Sequence, residues 1–195
     1  GYGIELNTPE LIEKAQGDSD SNSHGTHVAA IAAGSDAYKD GAYVGNAPDA
    51  DIVLVALDLN ASTNADISNA VQYIFDYADE VGKPCVVNLS LGNQDGPHDG
   101  TSTFDTMTDA MQGPGRLIVG AAGNHRTDAF HIDHTFATAD AAPLRTFVKY
   151  KVAPSNSVSG GTIEIWGEKG VDFTVDIAAY STFNKKDARS TTVYP

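Results

Sequence analysis

Hydrophobic and polar positions divide the chain into two textures. Residues 50–57 form a nearly continuous apolar run, which predicts a strand buried on both faces of a parallel sheet. Across 66–81 the apolar residues Ile67, Ala70, Val71, Ile74, Phe75 and Ala78 recur at helical spacing, with Asp66 as an early acidic residue. Gly82-Lys83-Pro84 stops that helix. Residues 86–89 predict the next strand and 103–111 another helix, closed by Gly113-Pro114-Gly115; 117–121 predict a third strand. This β-α-β-α-β order implies parallel strands with right-handed crossovers and a ligand site beyond their carboxyl ends.

After about residue 130 the period changes to two. Segments 146–152, 162–166 and 172–177 alternate between apolar and polar, separated by Gly, Pro, Ser and Asn. Alternation of this kind predicts antiparallel strands joined by hairpins. The expected fold class is therefore α/β, a partial parallel sheet flanked by helices, followed by a β-rich antiparallel segment. The expected boundaries are 1–130 and 131–195.

Three segments carry candidate chemistry, and all fall in the first part. Asn22-Ser23-His24-Gly25-Thr26-His27-Val28-Ala29-Ala30 places a histidine at the start of a small-residue helix, behind a polar loop. Small residues let another element pack close, so the helix is expected to be buried while His24 faces a cleft. A general base of a serine hydrolase is mounted in this way. Val86-Val87-Asn88-Leu89-Ser90-Leu91-Gly92 runs an apolar strand directly into Ser-Leu-Gly. Leu117-Ile118-Val119-Gly120-Ala121-Ala122-Gly123-Asn124 ends a second strand in small residues, which leave room for a ligand backbone, and in an amide donor.

In this order the three segments resemble the subtilases, the subtilisin-like serine proteases, over about residues 1–125. The resemblance implies that His24 is the catalytic histidine and Asn124 the oxyanion-hole asparagine. It implies that Ser90, Leu91 and Gly92 form the edge that pairs with an extended substrate. Ala122 and Gly123 match a wall of the S1 pocket, and Ile67 lines a subsite in the same register. Gly45-Asn46-Ala47-Pro48 and its following strand fit the family's G-x-A-P. Some subtilases, notably the clostridial spore-germination type, carry a jelly-roll insertion after the asparagine. Glu164-Ile165-Trp166 is similar to a strand of that insertion.

Two departures bear on activity. The family segment that begins Asp-x-Gly-Ile aligns with Gly1-Tyr2-Gly3-Ile4, so the position of the catalytic aspartate holds Gly1. A lone first glycine is also what an expression tag leaves behind. The family's nucleophile sits in Gly-Thr-Ser-x-Ala, after the asparagine, and no such segment is present. Gly100-Thr101-Ser102-Thr103 precedes the asparagine, and Gly161-Thr162 is followed by Ile163. The expectation is a fragment of a protease, inactive alone because its base has nothing to deprotonate. Two other readings stand beside it. One is a pseudoprotease that binds peptides or acts as a scaffold, which a native Gly1 favours. The other is an adhesion or carbohydrate-binding role for the β-rich segment.

Composition narrows the partners. A formal charge of −14 opposes binding to nucleic acid and to anionic membranes, both of which need basic patches. No run of the sequence has the length and hydropathy of a membrane span, and no signal peptide is recognisable. The expected partner is a polypeptide substrate, with a propeptide as a second one, and the expected location is secreted or at the cell envelope. The single Cys85 leads into a strand and reads as a small core residue. His27 reads as a packing residue. His125, His131, Asp133 and His134 match no standard zinc spacing, so no metal ligands are assigned. No cofactor is required. Calcium is admitted as a structural ion at the acidic loop 18–22, although that loop lacks the spacing of a calcium loop and reads more simply as solvated. Trp166 and Tyr150 read as core aromatics rather than a sugar platform.

Overall fold

A computed structural model describes residues 3–15, 23–36, 41–148, 162–181 and 186–193. The chain divides into two compact units, Gly1–Gln94 with Asp99–Arg126, and Asp95–His98 with Thr127–Pro195.

The first unit is organised by α3 (Asn64–Glu80), β1 (Cys85–Leu89), α4 (Thr103–Met111) and β2 (Arg116–Gly120). Helix α3 begins two residues before the apolar stripe suggests, because Thr63 is its cap. The Thr63 hydroxyl accepts from the Asp66 amide at 3.4 Å, and the Asp66 carboxylate accepts from the Thr63 amide at 2.8 Å. This reciprocal box satisfies donors that the first turn leaves open. Ser68, Val71, Phe75 and Ala78 are its buried residues, spaced by three and four. At the other end Gly82 adopts φ +68°, the Lys83 amide reaches the Ala78 carbonyl at 2.9 Å, and the Gly82 amide reaches Asp79 at 3.1 Å. This paired closure needs a left-handed residue, which glycine supplies without strain.

Strands β1 and β2 pair in parallel, Cys85 opposite Arg116 through Leu89 opposite Gly120. Val87 faces α3 and, with Val71 and Phe75, forms the buried core; Ile74, Cys85, Leu89, Met111 and Ile118 pack around it. Full burial of a side chain such as Phe75 contributes about 1.5–3 kcal/mol. Cys85 is half-buried, and that burial pushes its thiol pKa up. It is a small packing residue, as its position predicts. Helix α4 spans the predicted residues. Its cap is Ser102, whose hydroxyl accepts from the Asp105 amide at 3.1 Å.

Two expectations about this unit are corrected. Residues 51–57 have no ladder partner among the described residues, and Ile52 and Leu54 are 53% and 75% exposed. An apolar run favours extended backbone, but a strand exists only where a neighbour supplies hydrogen bonds. An ion pair between Asp51 and Lys83 ties the start of the run to the end of α3. The second correction concerns α2 (His24–Ala33), which has no buried residue; its Ile31 is 55% exposed. Its small residues do admit close packing, but only at its C-terminal end. There the amides of Gly45, Asn46 and Ala47 reach the carbonyls of Gly34, Ile31 and Ala32 at 2.8, 3.1 and 2.8 Å. The remaining helix, α1 (Pro9–Ala15), is exposed.

In the second unit β3 (Val175–Ser181) pairs antiparallel with β4 (Lys186–Val193), with a register shift between Ala179 and Tyr180. The Phe147 ring lies 5.2 Å from that of Tyr180. Residues 146–148 and 162–166, predicted as strands, carry no ladder among the described residues, and residues 149–152 lie outside them. Period-two alternation specifies which face a side chain takes once a partner strand is present, and does not itself supply the partner.

Candidate active site

The two strand ends come together first. Parallel pairing places the carboxyl ends of β1 and β2 side by side, and the Ala121 amide donates to the Leu89 carbonyl at 3.1 Å. The pairing thus extends one step past the strands. Ser90-Leu91-Gly92 leaves from one strand and Ala121-Ala122-Gly123-Asn124 from the other. Ser90 and Leu91 are half-buried, while Gly92, Ala122, Gly123 and Asn124 are exposed. The edge is thus supported from behind and open in front.

Two local devices shape these loops. Gly123 holds φ +81°, a conformation that costs an L-residue about 1–2 kcal/mol, and it turns the chain immediately before Asn124. The Asn88 side-chain amide donates to the Ser90 hydroxyl at 2.9 Å. Sequence reasoning passed over Asn88. Its signal is a polar residue inside an apolar strand, two positions from the serine and so on the same face.

His24 is mounted on a separate support, the first turn of α2, where it is exposed. Ser23 precedes the helix without a side-chain cap, and its carbonyl accepts the His27 amide at 3.0 Å. The Gly45–Ala47 contacts fix the far end of the same helix. Ile67 is half-buried in the first turn of α3. Ser102 caps α4 with its hydroxyl, also 2.7 Å from the Asp105 carboxylate, so the local Gly-Thr-Ser has a structural task.

The remaining candidates are placed as follows. Gly1, the acidic loop 18–22 and Tyr150 lie outside the described residues. Among the described residues no three or more His, Cys, Asp or Glu side chains group to hold a metal. His134 meets the edge of Phe136 at 4.6 Å between centroids. A shallow hollow around Lys83, Pro84 and Arg116 lies at the amino ends of β1 and β2, away from the strand ends described above.

A small-residue helix led by histidine, Ser-Leu-Gly after one parallel strand and Ala-Gly-Asn after the next form the pattern noted above in sequence. The model of the subtilase family matches residues 6–191. The chain belongs to the subtilase family. It is 32% identical over 178 residues to subtilisin-like protease 9 of Arthroderma benhamiae, covering 85% of this chain and 41% of that protein. It is 37% identical over 118 residues to the thermophilic serine proteinase of Bacillus sp. strain AK1, covering 60% of this chain and 27% of that protein. Among solved structures it is similar to the Clostridium perfringens CspB protease, with TM-score 0.54 and 29% identity over 65% of this chain and 28% of that one. This subtilase chain thus spans well under half of each of these three proteins.

Proposed function

We propose that this chain carries the general base, the oxyanion donor and the substrate edge of a subtilisin-like serine endopeptidase, and that it is inactive alone. The observation that carries the reading is the parallel pairing of β1 and β2, with Ser90–Gly92 and Ala122–Asn124 leaving the same end. An extended polypeptide adds as a strand to Ser90-Leu91-Gly92. Ala122 and Gly123 leave space beside it for the side chain that precedes the scissile bond. His24 accepts the proton of a serine hydroxyl as its oxygen attacks the peptide carbonyl, then returns that proton to the departing amine. Asn124 donates to the oxyanion that forms between those steps. The 195 residues contain no Gly-Thr-Ser-x-Ala segment, so the serine belongs to sequence beyond these residues. The aspartate that fixes the histidine tautomer belongs at position 1.

The reading brings with it a secreted or cell-envelope location and a propeptide as a second polypeptide partner. Calcium enters only as a structural ion. The relatives' names support peptide-bond hydrolysis as the class of reaction, and the substrate is a proposal of that class alone.

One feature favours a second reading. Gly1 stands where the family has aspartate, and a native glycine there makes the protein a peptide-binding pseudoprotease. Fluorophosphonate labelling of the full-length native protein, with His24→Ala beside it, separates the two. Labelling of the wild type that His24→Ala abolishes supports the protease. A folded, processed wild type that stays unlabelled sinks it and leaves the pseudoprotease.

A further inference from the structure

We infer that Gly45 and Asn46 are positioning residues for His24, acting through helix α2. The inference rests on the protease reading above, which gives His24 the proton transfers. A helix as short as this one, 10 residues, is marginal by itself, since isolated helices under about 12 residues barely hold in water. Most helices in folded proteins are seated by a packed apolar face. α2 buries none of its side chains, and Ser23 gives its first turn no side-chain cap.

Its carboxyl end is held by backbone instead. Beyond Gly34 the chain returns on itself, and Ser35 bridges antiparallel to Val44. The next three amides, of Gly45, Asn46 and Ala47, donate to the carbonyls of Gly34, Ile31 and Ala32. The carbonyls of Ile31 and Ala32 are among the last four of the helix, which the helix cannot pair internally. Asn46 holds Ile31 twice, because its side-chain amide also donates to that carbonyl at 3.1 Å. The approach leaves no room for a side chain at position 45. A β-carbon there would lie within 3.0 Å of the Ala33 and Gly34 nitrogens and the Ala30 carbonyl oxygen, all backbone atoms that cannot turn aside. A β-carbon on Gly34 would meet the same carbonyl oxygen at 2.6 Å.

The clamp, the helix, β1 and β2 lie in one compact unit. The clamp is also tied onward within it. The Ala50 amide donates to the Ala47 carbonyl at 3.1 Å, and Asp51 pairs with Lys83, just before β1. His24 stands at the opposite end of α2, about 14 Å along the axis at 1.5 Å per residue. Over that arm a tilt of about 4° at the clamp moves the imidazole by about 1 Å. A misplacement of about 1 Å costs a catalytic group about 100-fold in rate.

The test uses the full-length protein as wild type, Gly45→Ala, Asn46→Ala and Ser102→Ala. The probes are a tetrapeptide p-nitroanilide and a small fluorophosphonate. Gly45→Ala is expected to lower kcat and the labelling rate about 100-fold with KM for the tetrapeptide held. Asn46→Ala removes one side-chain bond and is expected to lower both about fivefold. Ser102→Ala removes a cap bond from α4 and is expected to leave labelling unchanged, which separates positioning from a general loss of stability. On the 195-residue chain, faster amide exchange across residues 28–33 in Asn46→Ala reports the clamp without catalysis. Wild-type labelling in Gly45→Ala, a raised KM with kcat held, or an equal fall in Ser102→Ala overturns the inference. If Gly45→Ala does not fold, Asn46→Ala decides, and unchanged labelling or unchanged exchange overturns it. A wild type that is never labelled overturns the protease reading and the role at His24 with it, while the exchange data still report whether the clamp holds α2.

Discussion

Asn124 owes its place to the residue before it. Gly123 at φ +81° turns the chain, and a β-carbon there meets no neighbouring atom, so the cost of substitution is purely one of backbone conformation. Gly123→Ala is therefore expected to lower stability by about 1–2 kcal/mol, read from thermal unfolding of this chain. Asn124→Ala removes the donor but leaves the turn. In the full-length protein the protease reading expects it to lower kcat about 100–1000-fold with KM little changed, the signature of a bond made only in the transition state. An Asn124→Ala enzyme with wild-type kcat would refute the oxyanion role. A second residue-scale effect concerns Tyr73, whose hydroxyl donates to Glu5 at 2.9 Å. That bond, with burial and the nearby Glu5 charge, raises the phenol above its ordinary 10.0. A raised pKa means the fold favours the protonated phenol. The contribution is present below the unfolded value and is lost as pH rises through the folded one. In an alkaline titration at 295 nm, Tyr73→Phe is expected to remove the late-titrating part of the signal from the eight tyrosines. Loss of an early-titrating part contradicts it.

At the scale of elements, helices were more legible than pairings. Helix α4 lies where its sequence puts it, because a capping serine and a Gly-Pro-Gly stop are local signals. Helix α3 has the stripe it advertises; its start was misplaced because Thr63 and Asp66 act together across the first turn. Strands β1 and β2 are close to their expected bounds, since each is an apolar run between strong breakers. Residues 51–57 carry the same kind of run and have no strand partner among the described residues, because hydropathy encodes burial preference and not the identity of a neighbour. Helix α2 shows the same limit: its sequence shows that it is apolar and cannot show what covers it. Ser-Leu-Gly and Ala-Gly-Asn were visible as segments at the ends of two predicted strands, which the pairing of β1 with β2 brings side by side, while the Asn88 bond to Ser90 needed the strand geometry. The core gives this scale its prediction. Phe75 is fully buried and stacks beneath Arg116 at 5.8 Å, so Phe75→Ala loses packing on both α3 and β1. It is expected to destabilise the chain by about 3–5 kcal/mol, measured by chemical denaturation. A change below about 1 kcal/mol would mean the core is held elsewhere.

For the molecule as a whole, the two faces of the parallel pair are unequal. Val87 on one face is buried against α3, whereas Val86, Leu117 and Val119 on the other are 64%, 52% and 45% exposed. Parallel sheets in α/β proteins are covered on both sides, because each face is a near-continuous apolar surface. The subtilase relatives reported above are more than twice as long as the matched chain, which spans 41% and 27% of two of them. A longer protein has the means to cover the outer face, and one substitution tests whether it does. Val119→Lys on the chain of 195 residues puts an ammonium on a surface already open to water, and its thermal midpoint should scarcely move. In the full-length protein the same change puts an unpaired charge into an apolar interface. The midpoint should then fall by several degrees, the response expected for a loss of about 2–3 kcal/mol. Equal midpoint shifts in the two proteins contradict a covered face and leave the parallel pair open to solvent in both.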